Sequence, residues 1–70
     1  INEIVVKENY TFLIIKGNTN IILDRKNEHK NTIKLLSFVK SINGKKELND
    51  YKYVDLTIPK QIIVKENKKI

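Results

Sequence analysis

The sequence predicts an α+β domain, with one amphipathic helix packed on one face of an antiparallel sheet of about five strands, in the order β-β-β-α-β-β. Three observations predict it. Runs rich in β-branched and aromatic residues recur toward both ends of the chain, separated by turn-forming residues. Between them the apolar spacing changes: Leu35, Phe38, Val39 and Ile42 fall at i, i+3, i+4 and i+7, one stripe of a helix. Finally, 70 residues suit one small domain or a piece of a longer protein.

The elements follow in order. Ile4 to Lys7 (IVVK) is a short β-branched strand, and Glu8-Asn9 is its turn. Tyr10 to Lys16 (YTFLIIK) is a second strand, rich in residues that suit a pleated surface. Gly17-Asn18 marks a tight hairpin turn, because both residues tolerate positive φ. Thr19 to Asp24 (TNIILD) is the third strand, with Ile21 and Leu23 on one face. The helix spans Asn27 to Ile42: Asn27 can cap it, Glu28 favours the positive first turn, and Asn43-Gly44 stops it. Lys45 to Asp50 is a polar loop. Tyr51 to Ile58 and Gln61 to Glu66 are the last two strands, folded about Pro59-Lys60, and the tail from Asn67 is expected to fray. The IVVKEN of 4–9 returns as IIVKEN at 62–67, but the segments between do not match, so this is convergence of strand and turn chemistry rather than a repeat.

Composition narrows the functional classes. No cysteine is present, so neither a disulfide framework nor a thiolate metal site supports so small a core. The chain starts at Ile1 and has no methionine, which suggests a piece of a longer protein. It contains no apolar run long enough to span a membrane and no signal peptide. The net charge is +6, from thirteen lysines, one arginine (Arg25) and eight acidic residues. Such a balance suggests nucleic acid, an anionic surface or an acidic protein partner. Yet Lys, Asn and Ile fill 34 of 70 positions, a skew that resembles AT-rich coding, and the lysines form no stripe.

No catalytic constellation is visible, so an enzyme is not expected. His29 is the one histidine and falls on a polar helix face; Ser37 and Ser41 have no base nearby in sequence. Asp24, Asp50 and Asp55 follow no ligand spacing, and two glycines, Gly17 and Gly44, cannot make a phosphate loop. No metal, cofactor or small-molecule substrate is expected. Asn9-Tyr10-Thr11 matches a glycosylation tripeptide, which an asparagine-rich chain produces by chance. Stacking of bases on a sheet would use Tyr10, Phe12, Tyr51 and Tyr53, but a single arginine is poor provision for base reading, so nucleic acid is the secondary reading.

The apolar residues outnumber what one helix can cover. A helix shields one face of a sheet, and the opposite face should turn polar. The fifth strand places Ile62 and Val64 on one side and Ile63 on the other; in the second, Leu13 and Ile15 oppose Tyr10, Phe12 and Ile14. Val5 and Ile22 add to the surplus. Either the sheet curls around the helix, or the surplus marks surface that meets another domain or a partner chain. For Ile63 the choice is between cover from Tyr53 across the hairpin and contact with a partner.

At Tyr53-Val54-Asp55-Leu56 the chain resembles the C-terminal β domain of the FtsQ/DivIB family of bacterial cell-division proteins, where a strand ending Tyr-Ile/Val-Asp-Leu-Arg precedes a short turn and a final strand. Upstream, a strand pair with a Gly/Asn turn leads to Ile22-Leu23-Asp24-Arg25 and then the helix, where the family closes a strand on Leu-Gly-Arg/Lys. The element order agrees across essentially the whole chain, while the sequence motif spans four to six residues. Two departures stand out: Thr57 replaces the usual arginine, removing a cation that the family can turn toward a partner, and Asp24 replaces the usual glycine and can itself cap a first turn.

The resemblance implies a non-enzymatic scaffold: a bitopic protein with a short cytoplasmic tail, one transmembrane helix, a POTRA domain and this domain, residues 1–70, on the extracytoplasmic side of the cell membrane. It implies that an FtsB/DivIC-type partner adds its C-terminal segment as a strand and that an FtsL-type protein completes the complex. By position, the receiving residues are Thr57, Ile58, Lys60, Gln61, Ile62, Ile63, Val64 and Lys65, with Lys7 near the place where the family offers a basic residue. Strand addition takes affinity from unpaired backbone groups and specificity from alternate side chains. Ile63 is then the apolar contact on the face away from the helix, and Lys60 and Lys65 steer acidic partner residues. The alternative is a small basic α+β module binding nucleic acid or an anionic surface, whose binding would fall steeply with salt.

Overall fold

A computed structural model describes residues 3–67 and has the α+β fold, a five-stranded sheet with one α-helix packed on it. The part of the expected frayed tail beyond Asn67 lies outside the described residues. β1 (Glu3–Val6), β2 (Tyr10–Ile15) and β3 (Thr19–Asp24) form the expected antiparallel meander. The β2–β3 turn works as its residues suggest: Gly17 and Asn18 take φ of 83° and 63°, and the Asn18 N–H donates to the Ile15 carbonyl at 3.0 Å.

The entry to the helix differs from the expected cap. Asn27 makes no capping bond through its side chain. Asp24 does the capping instead, its Oδ1 accepting from the Lys26 N–H at 3.0 Å over a 3-10 turn (Arg25–Asn27), which runs into α1 (Glu28–Ile42). Asp24 ends β3 in an extended conformation, from which its carboxylate reaches the amide two residues on, so the cap falls on the 3-10 turn rather than at Asn27. The helix ends at Asn43-Gly44 as expected, with Gly44 at φ 82° and the amides of Lys45 and Lys46 both donating to the Ile42 carbonyl.

β4 (Tyr51–Asp55) lies beside β3 and runs parallel to it, which corrects the expectation of a wholly antiparallel sheet. The physical reason is the helix. The chain leaves the end of β3, returns along α1 and a second 3-10 turn (Leu48–Asp50), and re-enters the sheet in the original direction. β5 (Ile63–Glu66) pairs antiparallel with β4, so the strand order is β1-β2-β3-β4-β5.

The last two strands are shorter than their apolar runs. β4 stops at Asp55 because its Oδ1 accepts from both the N–H (2.9 Å) and the hydroxyl (2.7 Å) of Thr57, bending the chain out of the ladder. Leu56 still donates its N–H to the Ile22 carbonyl at 3.0 Å. Gln61 gives its N–H to the Ile58 carbonyl across Pro59-Lys60, so pairing resumes only at Ile63.

The core forms where the helix crosses the middle of the sheet. Ile21, Leu23, Tyr51, Val54 and Leu56 are buried, with Leu13, Ile15, Leu35, Phe38, Ile42, Leu48 and Ile62 packed around them. Phe38 meets Tyr51 edge-on, ring centroids 5.4 Å apart. Val39, expected in the buried stripe, stays 37% exposed; the inward face is Asn31, Leu35, Phe38 and Ile42. Asn31 is buried because its Oδ1 accepts from the Asp24 N–H at 2.7 Å, tying the helix to the end of β3. Ile58, the last residue of the expected fourth strand, lies beyond β4 and is exposed.

Candidate functional site

β5 is an edge strand, bonded to β4 on one side and to no other strand on its second side among the described residues. Register decides what it presents. Val64 lies opposite Val54 and so faces the helix side, where Ile62 also packs. Ile63 lies opposite Asp55 and Lys65 opposite Tyr53, both on the far face. The direct partner of Tyr53 is therefore Lys65, and Ile63 remains 40% exposed.

One row of that far face is largely apolar, running Val5, Phe12, Ile22, Asp55 and Ile63, and the next is mixed, running Glu3, Ile14, Asn20, Tyr53 and Lys65. Among the described residues no element covers this face. The apolar residues on both sides of β2 and β5 thus divide between a helix-covered core and an open sheet surface, rather than a sheet curled around the helix.

Both ends of β5 are fastened. At its start, the Lys34 ammonium donates to three backbone carbonyls, those of Leu56 (3.2 Å), Ile58 (2.5 Å) and Gln61 (3.3 Å). One cation on the helix therefore gathers the end of β4 and both sides of the following turn. In that turn Pro59 holds the second position, and Lys60 takes the third at φ 61°, a type II arrangement usually given to glycine. At its other end, the Asn67 amide donates to Asp50 O at 3.0 Å and its side chain to Asn49 O at 3.2 Å. Glu66 pairs with Lys46, whose ammonium also lies 5.6 Å from the Tyr51 ring centroid. A strand held at both ends forfeits little conformational freedom when it receives another.

The expected partner-binding residues divide by place. Thr57 is half-buried and held by Asp55. Ile58 and Lys60 are exposed on the turn, Gln61 is exposed beyond it, and Ile62 is turned into the core. Ile63, Val64 and Lys65 make up most of the edge. Lys7 follows β1 at the opposite edge, four strand spacings or about 19 Å away, where its ammonium sits 5.8 Å from the Phe12 ring centroid. The structure does not bring it to β5.

Beside the edge, between α1 and the turn, opens a hollow of about 450 Å³ with Lys30 and Lys60 at its rim and Ile33 and Pro59 in its wall. Lys34 was the functional residue hardest to read from sequence. Its signal is its spacing: it stands four residues before Phe38 and three after Asn31, on the inward flank of the helix, where a lysine must find oxygen partners. Among the described residues, no three of His, Asp and Glu gather to hold a metal ion, and no helix is long and apolar enough to cross a membrane. Comparison with protein-family models, curated proteins and solved structures gives no match.

Proposed function

We propose that the chain is a non-enzymatic interaction domain of a bacterial cell-division scaffold of the FtsQ/DivIB kind. It acts on the extracytoplasmic side of the cell membrane and receives the C-terminal segment of an FtsB/DivIC-type partner as a sixth strand on β5, within a complex that includes an FtsL-type protein. The observation that carries the reading is that the strand following the Tyr53-Val54-Asp55-Leu56 motif is an open sheet edge with both ends fastened. Backbone groups along that edge supply affinity, and alternate side chains of the partner meet Ile63 on the far face and Val64 on the helix side. Lys30, Lys60 and Lys65 beside the edge favour a partner segment with acidic residues, steering its approach.

The test is capture of the C-terminal peptide of the DivIC-type protein from the same genome. Ile63→Asp is expected to weaken it at least about thirtyfold, the scale of an interface hot spot. Because Ile63 faces Asp55, aspartate there also adds like-charge repulsion, so Ile63→Asn is measured beside it. Normal capture by both variants, with folds intact by circular dichroism, would place docking elsewhere.

A further inference from the structure

Among the described residues the sheet has a second open edge, β1, whose sequence is complementary to itself. Register puts Ile4 opposite Leu13 and Val6 opposite Thr11, both on the helix side, and Val5 opposite Phe12 on the far side. The helix crosses β3 and does not reach this far, leaving Ile4 59% and Val6 58% exposed. These are two large β-branched side chains on a bare edge, the arrangement that soluble proteins usually protect with charge, proline or a bulge. β1 and the residue after it read Glu-Ile-Val-Val-Lys.

We propose that β1 pairs with β1 of a second copy of this chain, antiparallel and centred on Val5. A two-fold axis perpendicular to the sheet then sets Glu3 against Lys7 of the second copy, Ile4 against Val6, and Val5 against Val5, with the reciprocal pairs completing the seam. Both helices stay on one side of a continuous sheet. The apolar pairs Ile4–Val6 fall on the helix side and both Glu3–Lys7 pairs on the far side, so every opposed pair is matched in character. A two-fold contact of this kind closes on itself.

β5 has no register so well matched. Centred on Ile63 it sets Ile62 against Val64, but Gln61, whose carbonyl already accepts from Lys34, then lies opposite Lys65, where β1 sets Glu3 against Lys7. Centred on Lys65, β5 opposes two lysines, and centred on Val64 it sets Ile63 against Lys65 and Ile62 against Glu66. A head-to-tail alternative exists, in which β1 of one copy meets β5 of another with Glu3 opposite Lys65 and Val5 opposite Ile63. It offers one charge pair per seam where the two-fold offers two, and it leaves edges that go on adding copies. In the closed dimer the two β5 strands stand at opposite ends of a ten-stranded sheet, about 43 Å apart at about 4.8 Å per spacing. The dimer would then engage two partner strands at once, a gain in avidity without new contacts. That consequence rests on the strand-receiving role of β5; the β1 seam does not.

Sedimentation velocity of the 70-residue chain over a range of concentrations tests the seam. A concentration-dependent dimer is expected, with no larger species. Lys7→Glu and, separately, Glu3→Lys each convert two attractive pairs into two repulsive ones and are expected to weaken the dimer about tenfold or more. The double variant Glu3→Lys/Lys7→Glu restores both pairs with reversed sign and is expected to restore the dimer. Four results would each overturn the proposal: a monomer at every concentration, growth beyond two copies, a dimer indifferent to both single variants, or a double variant that stays weak. The last is what β1–β5 pairing predicts, because a lysine at position 3 would then face Lys65.

Discussion

Replacing Lys34 by methionine removes the ammonium and keeps a side chain of similar length and helix propensity. The parent lysine donates one short bond, to Ile58 O at 2.5 Å, and two longer ones, to Leu56 O at 3.2 Å and Gln61 O at 3.3 Å. A bond from a charged donor contributes about 1.5–3 kcal/mol when shielded. Only the Leu56 bond is part-buried and the other two are exposed to water, so about 2 kcal/mol for the set is the working figure. A chain of this length is stable by roughly 3.5–10 kcal/mol. The loss therefore lowers the thermal midpoint by about 10 °C, taking about 4–8 °C per kcal/mol for a small domain. The effect should also be local. With the turn released, amide hydrogen exchange at Gln61, Ile62 and Ile63 should rise more than exchange at Ile21 in the core, and peptide capture on β5 should fall with it. Lys34→Arg retains the charge but spreads it over a planar fork, and should recover part of both losses. A methionine variant that melts within about 2 °C of the parent, with unchanged exchange at Gln61 to Ile63, would refute the clamp.

Two further substitutions test the supports of the fold. Lys60→Gly relieves a left-handed conformation that costs a side-chain-bearing residue about 1–2 kcal/mol, against roughly 0.5–1 kcal/mol for the freedom glycine adds to the unfolded chain. A net gain of about 0.5 kcal/mol should raise the urea midpoint, and a clear fall would show that the turn is built otherwise. Asn31→Leu leaves the Asp24 N–H without its partner at the helix–sheet joint and should cost about 1–3 kcal/mol in urea unfolding; an unchanged midpoint would mean that the bond adds nothing.

Much of this fold was legible because local chemistry specifies it. Gly17-Asn18 and Asn43-Gly44 tolerate positive φ, and Gly17, Asn18 and Gly44 adopt it where turns were expected. The alternation in Thr19–Asp24 places Ile21 and Leu23 inward as read. Strand direction was not legible, since the pattern of Tyr51–Asp55 is the same whether it runs with β3 or against it. Nor was the early end of β4, which depends on one carboxylate oxygen of Asp55 choosing the backbone and hydroxyl of Thr57. Asn27 and Asp24 are both good caps by type, and only geometry selects Asp24.

At the candidate site, sequence located Ile63 as the surplus side chain, and register explains why: Val64, like Ile62 just before β5, lies on the helix side, and Ile63 turns to the open face. Lys7 could not be placed from sequence, because the distance between two edges depends on strand order. Lys34 was hidden by its type. A lysine on a basic helix reads as solvated until the carbonyls of a distant turn are found around it.

The most direct test of strand addition on β5 is residue-resolved amide hydrogen exchange with and without the DivIC-type C-terminal peptide. The account predicts new protection confined to residues 63–66 and the turn before them, retained at high salt, with β1 amides unchanged. Binding that leaves those residues exchanging freely, or that protects the lysine-rich helix surface and vanishes log-linearly with salt, would contradict it.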